Sequence, residues 1–346
     1  MPIFYQLDVL KMNRSVKYYF LLVACGLTGC LFQSCEQNIE LFAPPEFTPV
    51  VYCLLNPQDS VQTVRVSRVF QDRSMFLEWE ETFDNYLKDT TKRIYIESIN
   101  EEGSRTVTNF SYSEKLRSDN DSLFASTDLY TSRLKPTHLN DYSLYVYFPE
   151  TKTMASAKIK PIAPVHLIDP AIVPGRKMVI DPTQAYVLRW FGSPGTAYYQ
   201  GTFHINYLEK KSGEIRSKRL SMTLNPVLEY PDEAVFSQNV TGTALLKTLK
   251  NNIPELDSVN RKIVNLDFTF VYGGVELALF SNSGINPLGL SDRVSDYTNL
   301  DNARGVFSSI SRLHVYGIPL SEQSADTIAI NPITKNLNFV SNDEEF

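Results

Sequence analysis

Tyr142-Ser143-Leu144-Tyr145-Val146-Tyr147-Phe148 is the stretch that decides the fold class. Leu144, Val146 and Phe148 alternate with Ser143, Tyr145 and Tyr147, the period of two that turns one face of a strand inward and the other outward. The same beat recurs earlier: Val64 and Val66 against Arg65 and Ser67, then Ile94 and Ile96 against Tyr95 and Glu97. Turn chemistry separates these runs, at Asn100-Glu101-Glu102-Gly103 and at Arg117-Ser118-Asp119-Asn120-Asp121. Short strands spaced by such turns predict a β-sandwich. One helical insert interrupts the pattern, because Trp79, Phe83, Tyr86 and Leu87 fall at i, i+4, i+7 and i+8.

Downstream, Pro161, Pro164, Pro170, Pro174 and Pro182 crowd a short stretch. Proline fixes φ and lacks a donor, so this stretch predicts an extended connector. Beyond it, Tyr186 to Trp190 reads as a strand, and Tyr198 to Leu208, a turn at Lys211-Ser212-Gly213 and Ile215 to Leu224 read as a long hairpin. Thr243 is placed to cap a helix carrying Leu245, Leu246, Leu249 and Ile253 on one face, ending near Asn251-Asn252 before Pro254. Val264, Leu266, Phe268 and Phe270 alternate with Asn265, Asp267 and Thr269, giving one more strand. The chain of 346 residues is therefore expected to be mainly β. An N-terminal immunoglobulin-like β-sandwich over 46–160 is followed, after a Pro-rich connector at 161–182, by a second β-rich domain over 183–346 with one or two short helices. Aromatic residues, with Tyr 19, Phe 20 and Trp 2, suit half-buried strands better than helices.

The amino end reads as an address. Met12-Asn13-Arg14-Ser15-Val16-Lys17 is basic and precedes the apolar run Tyr18 to Gly29, the layout of a secretory signal. Met12 is the better start, since Asp8 would put an acid ahead of the basic segment, and residues 1–11 read as an upstream extension. Leu27-Thr28-Gly29-Cys30 resembles the lipobox of bacterial lipoproteins, in which small residues precede a cysteine whose sulfur is acylated. Cys35, after Phe32-Gln33-Ser34 and before Glu36, is the alternative lipidation site. Residues 1–34 thus comprise the extension and signal peptide, and 35–45 a tether. The span Tyr18 to Ser34 holds two Gly, Thr, Gln and Ser and falls short of the roughly 20 apolar residues of a membrane helix. Three of the four cysteines lie in this region, leaving Cys53, within Val50-Val51-Tyr52-Cys53-Leu54-Leu55, as an expected buried thiol and no disulfide framework.

Several of these segments together resemble a family of Bacteroidota lipoproteins of unknown function. They are the lipoprotein signal, Ser34-Cys35-Glu36, the strand Pro49-Val50-Val51-Tyr52, Leu134-Lys135-Pro136 to Tyr142-Ser143-Leu144, and Tyr297 to Ser309. Ala303-Arg304 departs from the small pair expected before Gly305. The resemblance implies a cell-envelope role beside a TonB-dependent outer-membrane transporter, and it carries over no catalytic residues.

The residues themselves offer little chemistry. His138, His166, His204 and His314 are far apart and fit no metal-ligand spacing. No G-x-S-x-G elbow, P-loop or G-x-G-x-x-G occurs, so neither metal nor cofactor is expected, and the chain is expected not to be an enzyme. Asp119-Asn120-Asp121 with Asp128 lacks the glycine and closing Glu of an EF-hand and reads as a solvated turn. With net charge −6 and no basic run, nucleic acid is a poor partner. Tyr145, Tyr147, Tyr198 and Tyr199 are the weak ligand-binding candidates, as a platform for stacking flat ligands, although cross-strand packing explains their placement equally. Tyr297 to Ser309, polar and turn-rich, reads as a functional loop or an Ω-like connection. The expectation is a lipid-anchored outer-membrane protein, facing the periplasm or the cell surface, that serves a TonB-dependent transporter as an accessory or ligand-binding partner. The alternative is a surface adhesin or glycan-binding module.

Overall fold

The stretch that opened the reading forms a strand with Tyr142, Leu144, Val146 and Phe148 buried and the residues between them half-buried. The computed structural model describes residues 48–69, 92–116, 126–149, 151–171, 177–229, 235–284, 297–341 and 346. Cys30 and Cys35, the helix expected around Trp79 to Leu87 and the turn at Asp119 to Asp121 lie outside these residues.

The first half supplies β1 (Thr48–Leu55), β2 (Gln62–Val69), β3 (Arg93–Ile99), β4 (Arg105–Asn109), β5 (Ser111–Leu116), β6 (Ser126–Ser132), β7 (Asp141–Phe148) and β8 (Thr153–Ile159). Strands β4-β3-β7-β8 form one antiparallel sheet. Its inward residues Ile94, Ile96, Leu144, Val146, Phe148, Ala155 and Ala157 pack with Val51, Cys53, Leu55, Val64, Val66 and Tyr130, which come from β1, β2 and β6 of a second sheet. Two layers closing over one apolar core make a β-sandwich. The hydroxyl of buried Tyr142 accepts from the Thr137 backbone N–H at 3.0 Å, an internal brace of the kind immunoglobulin-like domains use where a strand leaves a corner. Cys53 is buried, and desolvation pushes its thiol pKa up, so it stays neutral and acts as a small hydrophobe.

The second half supplies β9 (His166–Asp169), β10 (Ala185–Phe191), β11 (Thr196–Lys211), β12 (Glu214–Thr223), β13 (Val227–Leu228), β14 (Val235–Thr241), β15 (Val259–Gly274) and β16 (Arg304–Ile318). Three helices accompany them among the described residues: α1 (Gly242–Asn252), α2 (Val275–Gly284) and α3 (Glu322–Ile330). The large sheet runs β12-β11-β15-β16-β1-β2-β6-β5, with β13 on β11, so its strands come from both halves of the chain. The join is β16, which pairs in parallel with β1 through Arg304–Ser309 and antiparallel with β15 through Ile310–Ile318. A three-stranded sheet, β14-β10-β9, covers the β11/β15 end. Between them Leu188, Trp190, Phe236 and Val240 meet Tyr199, Phe203, Leu266, Phe268 and Phe270, with Leu245, Leu246 and Leu249 of α1 closing the core.

Several expectations are adjusted by this arrangement. The segment 161–182 separates the residues of the two cores along the chain, except that Leu300, Ala303 and Phe307 return to the first. It is more than a connector: β9 forms an edge strand within it, and Ile162, Val165, Met178 and Ile180 are buried in the second core. Tyr297 to Ser309 is not a loop throughout, because from Arg304 it is strand, with Gly305 to Ser309 all buried. Thr241, not Thr243, caps α1. Its backbone is still extended (φ −73°, ψ 138°) and its hydroxyl accepts from Ala244 N–H, whereas Thr243 is already helical and donates to Pro182 O at 3.1 Å. Val264 is 50% exposed because the β11 and β15 registers slip between Asn206 and Tyr207, and the extra residue of the bulge turns it out of the core. The hairpin is as read: β11 and β12 are joined by Ser212 and Gly213, both at positive φ (49° and 84°), the geometry of a tight turn matched to strand twist.

Gly305 is the one glycine on which the join depends. Its φ is +113°, and a Cβ there would lie 2.0 Å from Val51 O of the parallel partner strand. Among the described residues no helix is long and apolar enough to cross a membrane.

Candidate functional site: the outer face of the large sheet

Strands β11 and β15 are each long enough to offer a broad face away from the core. On β11 the odd residues Tyr199, Phe203 and Ile205 point inward, so the even residues Tyr198, Gln200, Thr202, His204 and Asn206 point outward. Register aligns them with Thr223, Ser221 and Arg219 of β12 and with Thr269, Asp267 and Asn265 of β15. Next along, Thr269 faces His314 of β16.

These side chains form one hydrogen-bonded row. His204 Nδ1 lies 2.8 Å from Ser221 Oγ and its Nε2 3.0 Å from Thr269 Oγ1, which in turn lies 3.1 Å from His314 Nδ1. The imidazole of His314 stacks on the ring of Tyr316, centroids 5.6 Å apart and 17° between planes. Beside this row Asp267 accepts from Gly317 N–H at 2.9 Å and from Asn206 Nδ2 at 3.0 Å, and it pairs with Arg219 at 3.2 Å. Burial alone would raise the Asp267 pKa, but the hydrogen bonds from Asn206 and Gly317, with Arg219 and His204 nearby, outweigh it and hold the carboxyl below its ordinary value. His204 is pushed below its ordinary value by desolvation first and by Arg219 and His314 second, against the pull of Asp267. At neutral pH His204 is therefore a neutral imidazole, beside an ionised Asp267 that pairs with Arg219.

The tyrosines singled out from the sequence do not form a platform. Tyr199 is fully buried against Trp190 and Phe270, its hydroxyl donating to Thr196 O at 3.2 Å, and desolvation raises its pKa to about 12. Tyr198 is half-buried on the outer face and donates to Gln200 Oε1 at 2.9 Å. Tyr145 and Tyr147 lie half-buried on the other sheet, where Tyr145 stacks on Tyr95 across the β3–β7 pair at 5.0 Å. The structure therefore separates Tyr145 and Tyr147 from Tyr198 and assigns Tyr199 to packing. Of the four histidines it brings His204 and His314 together, through a threonine that neither sequence neighbourhood contains. The signal was present in the sequence only as polar residues two apart on three separate strands, which becomes a cluster once register is known. Among the described residues no group of three or more His, Cys, Asp or Glu could hold a metal ion.

A second polar feature lies on the β9–β10 pair. The Nε and Nη2 of Arg189 both donate to Asp169 Oδ2, at 3.1 and 2.6 Å, beneath a shallow cleft that Tyr186 and Val187 also line.

No family model matches the chain, and no curated protein matches it. Among solved structures it is similar to one described as the crystal structure of CBD12 from CALX1.2, at 9% identity and a TM-score of 0.16, covering 77% of this chain and 100% of that one. A likeness at that TM-score carries no argument, and the mainly β architecture rests on the strands and sheets described above.

Proposed function

We propose that this chain is a non-catalytic lipoprotein of the cell envelope, anchored in the outer membrane through an acylated cysteine, Cys30 or else Cys35. There it serves a TonB-dependent transporter as an accessory or ligand-binding partner. The observation that carries the reading is Leu27-Thr28-Gly29-Cys30 directly after a basic segment and an apolar run. The resemblance of several segments of the chain to envelope lipoproteins supports the partner. The body suits that work: its described strands hold a wide polar face, and surface recognition needs a face. A single acyl chain binds membranes marginally and two bind stably, so a triacylated cysteine is a durable anchor. Confinement to one membrane then raises the effective concentration of a weakly associating pair without a large interface.

Replacing both Cys30 and Cys35 by Ser is expected to release the protein from the outer-membrane fraction or to leave unprocessed precursor. Unchanged fractionation and mobility of that double variant would refute the anchor.

A further inference from the structure

The part of the outer face around His204 and His314 differs in charge from the chain as a whole. The protein as a whole has net charge −6. Yet the outward positions around the two histidines hold Arg219 and Arg312, with Lys262 beside Leu208 further along, against one carboxylate, Asp267, among the described residues. Both oxygens of Asp267 are occupied, by Gly317 N–H and by Asn206 and Arg219. Arg312 is exposed and makes no ion pair among the described residues. Around the two histidines the described cations outnumber the carboxylates, and Arg312 is the exposed one without an ion pair.

Along β16 the outward residues are Arg312, His314 and Tyr316, successive members of one stripe at about 7 Å intervals. Tyr316 is 61% exposed, large for an aromatic ring held in place by a stack on His314. The backbone beneath Arg312 is fixed from the side: Gln58 Nε2 donates to Arg312 O at 2.6 Å, and Arg312 N–H donates to Gln58 Oε1 at 3.3 Å, so a side-chain amide replaces the missing neighbouring strand. Hydroxyls of Thr202, Thr223, Ser221 and Thr269 line the strands alongside. A guanidinium, an exposed tyrosine ring braced by an imidazole and a row of hydroxyls alongside match a particular chemistry. Aromatic faces take the C–H faces of pyranose rings, hydroxyls exchange hydrogen bonds with sugar hydroxyls, and the guanidinium takes a carboxylate.

We infer that this stripe is a binding site for an acidic carbohydrate, an extended sugar chain bearing carboxylates. A sugar ring packs on the exposed face of Tyr316, and a carboxylate further along the sugar chain pairs with Arg312. Arg312, His314 and Tyr316 are all exposed along the strand, which suits an extended chain lying along it rather than a small enclosed anion. Fixing the stripe before binding reduces the ordering cost of association. The inference stands apart from the anchoring reading, since it uses only residues of the described sheet.

The test is isothermal titration of the full-length chain with a galacturonic acid hexamer, with maltohexaose as the uncharged counterpart and inorganic phosphate as the simple anion. Saturable binding of the galacturonate hexamer and not of maltohexaose is expected. Arg312→Ala and Tyr316→Ala should each weaken it about tenfold, the scale of losing one charge-assisted or stacking contact. Both residues are exposed, and unchanged thermal melting of the variants shows that the fold is intact. Lys158→Ala, which removes a surface cation from the other sheet, should bind as the parent does. Absence of binding overturns the inference, as does binding indifferent to both substitutions. Displacement of the hexamer by phosphate alone, with no dependence on Tyr316, would reduce the face to a general anion surface and overturn the sugar assignment.

Discussion

Phe203 and His204 are consecutive residues of β11, and they live in different surroundings. Phe203 is fully buried, its ring 4.7 Å from that of Phe268, while His204 is bonded to Ser221 and Thr269 on the opposite face. The same division runs through β15, where Phe268 and Phe270 face inward and Asp267 and Thr269 outward. The inner face is apolar and aromatic, so its contribution is stability through burial and packing. The outer face consists of groups that water could satisfy equally well, so its hydrogen bonds add little to stability. What they supply is position: each polar side chain is held by the next. The two faces are separable by mutation, and that separability is what the following measurements probe.

The largest effect is expected where the shared sheet is joined. Gly305→Ala forces a Cβ into Val51 O at a backbone angle that L-residues rarely adopt, and should cost about 5 kcal/mol in urea unfolding or prevent folding altogether. A loss under about 1 kcal/mol would mean that the parallel β1–β16 pair is not built this way. Next, Phe268→Ala on the inner face should cost about 4 kcal/mol by leaving a cavity among Phe203, Phe270 and their neighbours. Thr269→Ala, one residue along on the outer face, removes the hydroxyl between the two imidazoles and should cost only about 1 kcal/mol. Comparable losses from the two substitutions would erase the contrast between the faces.

The smallest effect is in pH. Because the folded chain holds His204 below its ordinary value of about 6.5, the unfolded state takes up the proton first as pH falls. Stability from this group is fully present above that ordinary value and is lost as pH drops through it toward the lower folded value. Asp267 behaves as depressed carboxyls do: its contribution is present above the ordinary value of 3.8 and lost as pH falls below it. The charged and titratable groups facing His204 are Arg219, Asp267 and His314, and His204→Gln should flatten the stability profile just below the ordinary histidine value of about 6.5. An unchanged slope in that variant would show that His204 does not titrate differently on folding.

What could be read in the sequence follows from how local each feature is. The β11–β12 hairpin was legible because its alternation and its turn residues, Ser212 and Gly213, lie within one stretch. The strand at Arg304 was not, because it is covered on both sides: Phe307 enters the first core while Ser308 donates to Glu276 of α2 on the other face. With both faces buried, alternation disappears. Val264 misled for a different reason, since a bulge shifts phase without any change in the apolar spacing. The His204–Thr269–His314 row was illegible in principle, for it requires three strands in register. Tyr199 and Tyr198 show the same limit at its smallest scale, because adjacent residues of one strand must part company and only the fold says which one is buried.

The proposed role is tested most directly by affinity purification of the tagged mature protein from detergent-solubilised outer membranes, followed by mass spectrometry. The account predicts a TonB-dependent transporter recovered with the bait, and recovered poorly when Cys30 and Cys35 are both Ser, because loss of the shared membrane removes the effective concentration that holds a weak pair together. Recovery of acylated bait with no transporter would contradict it.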